Sequence, residues 1–117
     1  MAGGQRVVVC RSDALADGGD GVRFVIDRAG NPHPAFAIRF RGRVYAYLNR
    51  CAHVGVELDW QAGRFFDADG MVLICSTHGA LYDPATGECR GGPCRGAGLE
   101  PVAIEEINGQ VVLRAKG

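Results

Sequence analysis

Two short mixed pairs of sulfur and nitrogen ligands, Cys51-Ala52-His53 and Cys75-Ser76-Thr77-His78, constrain this 117-residue chain more than any other feature. Between His53 and Cys75 lie 21 residues. A fold that uses both pairs at one site must therefore bring two separate loops together and hold them. A glycine follows each histidine closely, Gly55 after the first and Gly79 after the second. Glycine there permits a tight loop and close backbone approach to a bound group. Four such ligands suit either zinc or an iron–sulfur cluster. The spacing discriminates in part, because zinc fingers usually group their cysteines in one pair and their histidines in another, whereas each loop here mixes the two.

The segments around these pairs read as short strands joined by turns. Arg6–Cys10 and Val22–Asp27 have strand character, separated by the polar, Gly-rich stretch Ser12–Gly21. Ala29-Gly30-Asn31-Pro32 is a turn signal, and Ala35–Phe40 with Val44–Asn49 form a hairpin closed near Arg41-Gly42. Phe65-Phe66 and Met71–Ile74 flank Asp67-Ala68-Asp69-Gly70 as a second hairpin. Gly79–Tyr82 is a short strand before the turn Asp83–Gly87, and Val102–Ile107 with Gln110–Arg114 pair around Asn108-Gly109. No segment carries a helical period of useful length. An all-β single domain spanning residues 1–117 is expected, and 47% apolar against 22% charged residues supports a packed core.

Composition excludes several function classes. Formal net charge is zero, which argues against a nucleic-acid binder working through bulk charge. No apolar run approaches the ~18 residues that a spanning helix needs, so no membrane partner is expected. The N-terminus lacks the charged-then-apolar layout of a secretory signal, and the expected location is cytoplasmic. In that compartment Cys89 and Cys94 read as free thiols, with a second metal site or a regulatory disulfide as the alternatives, and Cys10 as a small apolar strand residue. Of the three histidines, only His33, between Pro32 and Pro34, lies outside the two pairs; it reads as a loop residue without a role.

The arrangement Cys-x-His followed by Cys-x-x-His resembles the Rieske family. The likeness extends over Asn49–Gly55, over Cys75–Asp83, and over Thr86-Gly87 with Gly91-Gly92-Pro93, which resembles the family's third, proline-containing loop. Leu99–Val112 resembles its closing hairpin, so residues 44–114 are covered. The resemblance implies a Rieske-like fold of short antiparallel strands in small stacked sheets. The cluster-binding part would span about residues 49–97 and consist of two ligand loops and a proline loop. It implies one [2Fe–2S] cluster per chain, with Cys51 and Cys75 on the inner iron and His53 and His78 on the outer iron.

High-potential members carry an extra cysteine in each ligand loop and a serine after the second His-Gly. The matching positions here are Val56, Thr77 and Ala80, which points to the low-potential, ferredoxin-like branch. With neutral imidazoles the oxidised core of two ferric ions, two sulfides and two thiolates carries no net charge. It accepts an electron more readily than an all-cysteine cluster, and Rieske potentials span roughly −150 to +300 mV. The missing loop disulfide and hydroxyl favour the lower part of that range.

The function implied is a one-electron carrier between a reductase and a terminal oxygenase. The alternatives are a small subunit of a larger reductase, resembling the small subunit of nitrite reductase, and a structural zinc domain. A catalytic oxygenase needs a second iron held by two histidines and a carboxylate. His33 cannot supply that set, so no catalytic site is expected. Arg50, Arg90 and Arg95 flank the cluster loops and are candidates for partner docking. Arg39, Arg41 and Arg43 read as a solvated hairpin, and Trp60 as a packing residue.

Overall fold

Three dipeptides ending in glycine set the hairpins of the computed structural model: Ala29–Gly30 (φ 52° and 82°), Arg41–Gly42 (51° and 82°) and Asn108–Gly109 (51° and 78°). Two successive residues at positive φ give a turn whose twist matches that of the flanking strands. The structure describes residues 7–50, 57–59, 61–75, 79–94 and 96–114. The strands are β1 (Val8–Arg11), β2 (Val22–Arg28), β3 (Asn31–Phe40), β4 (Arg43–Leu48), β5 (Leu73–Ile74), β6 (Leu81–Tyr82), β7 (Cys89–Gly91), β8 (Ile104–Ile107) and β9 (Gln110–Leu113). They form three antiparallel three-stranded sheets in the orders β1-β9-β8, β2-β3-β4 and β5-β6-β7. Among the described residues the only helical pieces are 3-10 turns at Ser12–Ala14 and Gly92–Cys94. The all-β reading therefore holds.

Where β3 pairs with β4 the middle sheet is buried on both faces, and its residues differ in size from one face to the other. Ala35, Ala37, Ala46 and Leu48 face a core shared with Val102 and Val111. Phe36, Ile38 and Tyr47 face the opposite way, into a core with Leu58, Phe65, Leu73, Cys75, Ala80, Tyr82, Cys94 and Leu99. Small residues let the β1-β9-β8 sheet approach closely, while the aromatics fill the wider space toward the β5-β6-β7 sheet. Phe36 and Phe65 stack with centroids 3.9 Å apart. The uninterrupted apolar run Ala35–Ile38 is what a strand buried on both faces requires.

The sequence reading placed Asn31 and Pro32 in a turn and His33 in a loop, but all three belong to β3. Prolines are tolerated there for a geometric reason. The Pro34 carbonyl accepts the Asn49 N–H at 2.8 Å, so residues 32 and 34 turn their backbone polar groups toward the β4 side. β4 ends at Leu48, opposite Ala35, so no strand there asks for the missing N–H donors. The Phe65–Ile74 hairpin is reduced to a bridge between Phe66 and Leu73 and the two-residue β5. Strand β7, which the sequence reading did not anticipate, pairs with β6 through Leu81 opposite Gly91 and Tyr82 opposite Cys89.

Arg39 is not a solvated hairpin residue. Its guanidinium is mostly buried and donates to the carbonyls of Leu15 (2.8 Å), Ser12 (3.1 Å) and Gly42 (3.2 Å), and to both oxygens of Glu106 at 3.2 and 2.6 Å. It thereby ties the N-terminal connection and β8 to β3. The Arg39 guanidinium holds the Glu106 carboxyl below the ordinary glutamate value. A carboxyl with a depressed folded-state pKa stabilises the fold above its unfolded value and loses that contribution as pH falls toward the folded one.

The first ligand segment leaves β4 through Asn49 and returns at Glu57–Asp59, and a buried polar bracket closes the two ends. Asn49 Oδ1 accepts the Leu58 N–H at 2.9 Å, and Asn49 Nδ2 donates to Asp59 Oδ1 at 3.0 Å. Asp59 Oδ2 accepts the Gly63 N–H at 2.9 Å and lies 3.4 Å from Arg23 Nε. Arg23 of β2 also reaches Glu57 at 2.7 Å.

Two predictions follow from these networks. Glu106→Gln should lie about 1 kcal/mol below the native chain near neutral pH. The gap should begin to close as pH falls below about 4.3, the ordinary glutamate value of the unfolded chain, and vanish once pH passes the lower folded-state value. Urea denaturation at a series of pH values reads this, and a gap constant down to pH 3 would contradict it. Asn49→Leu should cost roughly 2–4 kcal/mol in denaturation midpoint analysis, because it strands the Leu58 N–H and one Asp59 oxygen in a buried site. A loss below about 1 kcal/mol would show that the bracket is not needed.

Candidate functional site

The β5-β6-β7 sheet presents the second ligand segment as a loop closed at its base. Cys75 follows β5 directly and is fully buried. Its N–H donates to the Ala80 carbonyl at 2.8 Å, and its carbonyl accepts the Gly79 N–H at 2.8 Å. Gly79 has φ 75°, a conformation that side-chain-bearing residues rarely adopt, and its position lets the chain turn back into β6. Residues 76–78 are thus the connection between two fixed ends. Leu58, just beyond the first ligand segment, belongs to the same packed core as Cys75 and Ala80. The exit of one loop and the base of the other therefore share one core.

Of the expected ligands, Cys75 lies among the described residues, buried at the base of the second ligand loop. Cys51, His53 and His78 lie outside the described residues, as do Val56, Thr77, Trp60 and Arg95. Among the described residues no group of three or more His, Cys, Asp or Glu side chains is placed to hold a metal ion. The residues present fit a cluster anchored by thiolates: a cysteine buried in an apolar core at the base of a main-chain-tied loop. Ala80, which follows Gly79, is a fully buried methyl in that core.

A third loop covers this region. Asp83 Oδ1 accepts the N–H groups of Ala85 (2.8 Å) and Thr86 (3.3 Å), and its Oδ2 accepts from Arg90 at 2.9 Å. The Tyr47 hydroxyl donates to the Pro84 carbonyl at 2.7 Å in a buried position, and burial pushes its phenol well above the ordinary value. The chain then runs along β7, turns at Gly92–Cys94 and folds back. Cys89 N–H donates to Ala97 and Leu99 N–H to Gly87. At Gly92 (φ 81°) an added Cβ would stand 2.8 Å from the Gly79 carbonyl oxygen and 3.1 Å from Ala80 Cα. The turn that carries Pro93 is therefore in backbone contact with the base of the second ligand loop.

Cys89 and Cys94 are joined by a disulfide, which corrects the reading of free thiols. Antiparallel pairing of β6 with β7 and the tight turn that follows bring two cysteines five positions apart to bonding distance. Cys10 is half-buried, and burial raises its thiol above the ordinary value, which disfavours the thiolate. His33 also has a partner: Arg50 Nη2 lies 3.2 Å from its Nδ1. Arg50 precedes Cys51, and Arg90 is engaged with Asp83. The sequence reading assigned no role to Asn49, Asp59 or Arg23. No local pattern marks them, since Asn49 and Asp59 are 10 positions apart and Arg23 is 36 from Asp59.

The description Rieske [2Fe-2S] domain matches residues 5–108, further toward the N-terminus than the motifs alone indicated. No curated protein sequence matches the chain. Among solved structures, the ferredoxin of carbazole 1,9a-dioxygenase from Nocardioides aromaticivorans IC177 is 23% identical with a TM-score of 0.71, covering 96% of this chain and 99% of that one. The Sphingomonas yanoikuyae B1 ferredoxin is 20% identical with a TM-score of 0.73, covering 96% and 100%. A chain from the complex of reduced oxygenase and oxidized ferredoxin in carbazole 1,9a-dioxygenase is 24% identical with a TM-score of 0.71, covering 93% and 92%. These likenesses carry the fold, and the match over residues 5–108 carries the family: the chain belongs to the Rieske [2Fe-2S] domain family.

Proposed function

We propose that this protein is a one-electron carrier that takes electrons from a reductase and delivers them to a terminal oxygenase. The family match over residues 5–108 carries this reading. Support comes from the kind of protein it resembles end to end, ferredoxins of dioxygenase systems, one of them described in complex with its oxygenase. The whole chain acts as one domain, with about residues 49–97 as the cluster-binding part. Among the described residues no helix is long and apolar enough to cross a membrane, which suits a carrier working in the cytoplasm.

When bound, the [2Fe–2S] cluster supplies a site that accepts and returns a single electron. The chain's own residues hold it and set its surroundings. Cys51 and Cys75 are the proposed inner ligands, and the burial of Cys75 keeps water from the anchoring sulfur. His53 and His78 are the proposed outer ligands, through which partners exchange electrons. The Asn49–Asp59 bracket and the Cys75–Gly79 hydrogen bond fix where the two ligand loops begin and end. No side chain is assigned a catalytic role.

The purified protein should be coloured and, after dithionite reduction, give an EPR signal with a midpoint in the lower part of the roughly −150 to +300 mV range. Cys75→Ser should abolish cluster assembly, whereas Cys10→Ser should leave it intact. A colourless, EPR-silent protein with stoichiometric zinc would overturn the proposal. A cluster that assembles normally in Cys75→Ser would overturn the ligand assignment.

A further inference from the structure

We propose that Cys89–Cys94 is a second redox centre, a two-electron thiol–disulfide site whose state governs how firmly the Gly92–Cys94 turn is held on the second ligand loop. Its effect on cluster lifetime rests on the function proposed above; the thiol chemistry does not.

The position of the bond makes this case. Cys89 opens β7, whose partner β6 is the strand leaving the second ligand loop, and the two pair through Tyr82 opposite Cys89. Cys94 closes the turn whose Gly92 touches Gly79 and Ala80. It is 1% exposed and packs in the same core as Cys75, Ala80 and Tyr82. The bond therefore fastens the covering turn to the sheet that carries Cys75.

Its sequence separation of 5 says what the bond is for. A ring this small removes less entropy from the unfolded chain than a long one would, and its constraint falls on a single turn. Its influence is local. In a reducing compartment, disulfides that form are mostly transient and redox-sensing. Accessibility differs between the two ends, since Cys89 is half-exposed and Cys94 is buried.

A dithiol reductant supplies the electrons. One of its thiolates attacks Cys89 Sγ, and the bond to Cys94 breaks. The Cys94 sulfur leaves with the electron pair and takes a proton. The reductant's second thiol then attacks the mixed disulfide, freeing Cys89 as a thiol and leaving the reductant as a disulfide. Two electrons and two protons reach the protein. Two unbonded sulfurs need van der Waals separation, which the close-packed site at Cys94 does not offer unless the turn moves. That movement lifts Gly92 from Gly79 and loosens the base of the second ligand loop.

The test uses full-length holoprotein under anaerobic conditions, with and without dithiothreitol, followed by alkylation and peptide mass mapping. Without reductant, Cys89 and Cys94 should resist alkylation; with it, both should be labelled. Reduction should raise deuterium uptake in peptides spanning Cys75–Ala80 at least about threefold, and iron loss to a chelator by a similar factor. The double variant Cys89→Ala, Cys94→Ala should match the reduced protein and ignore dithiothreitol. Gly92→Ala should speed iron loss while the disulfide stays intact.

Alkylation of both cysteines in unreduced holoprotein would overturn the proposal. So would deuterium uptake at Cys75–Ala80 that is unchanged by reduction and by the double variant. A protein that holds zinc instead of iron would fail the function proposed above, yet the alkylation and deuterium readings would still decide this one.

Discussion

A buried carboxylate with two hydrogen-bond donors and a guanidinium beside it holds the framework together around the site. The Asp59 side chain has no solvent exposure, and an unpaired charge there would be expensive. It is stable because Asn49 Nδ2 and the Gly63 N–H donate to it and Arg23 Nε stands 3.4 Å away. Asn49 uses its other end to accept the Leu58 N–H. A single bracket thus joins the end of β4, the return of the first ligand segment, the following turn and the outer strand β2. The two ends of the first ligand segment, Asn49 and Leu58–Asp59, are thereby held to one another. An apolar pair of the same volume would pack as well but would not fix direction, because only hydrogen bonds select one register of residues 49 and 58–59.

The middle sheet explains why the bracket stays dry and fixed. Its alanine face admits the β1-β9-β8 sheet closely, and segment 100–102 completes that junction through Leu48 N–H to Glu100 and Val102 N–H to Ala46, each 2.9 Å. Its aromatic face supports the sheet that presents Cys75. Arg39 and the Asn49–Asp59 network stand on opposite sides of this layer and serve the same purpose, satisfying main-chain groups where the chain passes between sheets. Buried polar residues are concentrated at these crossings, and the layers themselves are apolar.

Much of this was legible in the sequence where the signal is local. Arg41-Gly42 and Asn108-Gly109 mark their hairpins because a two-residue turn demands positive φ within the dipeptide itself. The paired Cys and His motifs are also local, and they led to the family that the match over residues 5–108 shows. Legibility ended where the partner is distant in sequence. Strand β7 has no alternation of its own and exists because Leu81 and Tyr82 offer it a register. Arg39 looks like one of three hairpin arginines, yet its partner Glu106 is 67 positions away. His33 between two prolines reads as loop until β4 is seen to end opposite Ala35. Cys89 and Cys94 read as thiols because a reducing compartment favours them, and only the pairing of β6 with β7 brings the two together.

The three loops around the site are secured by three different kinds of physics, and this determines how each can respond. The first depends on buried polar contacts, whose loss leaves orphaned groups and so resists small perturbation. The second depends on two main-chain hydrogen bonds at Cys75, which open only with the sheet edge they extend. The third adds a covalent bond between Cys89 and Cys94 to its own hydrogen bonds. Only that last tie can be broken and remade by a chemical partner without unfolding anything. One-electron transfer gains from loops that hardly move between redox states, and the first two ties suit that need. Adjustment of the site therefore falls to the third loop, the one that bears no expected ligand and touches the ligand loop through a glycine.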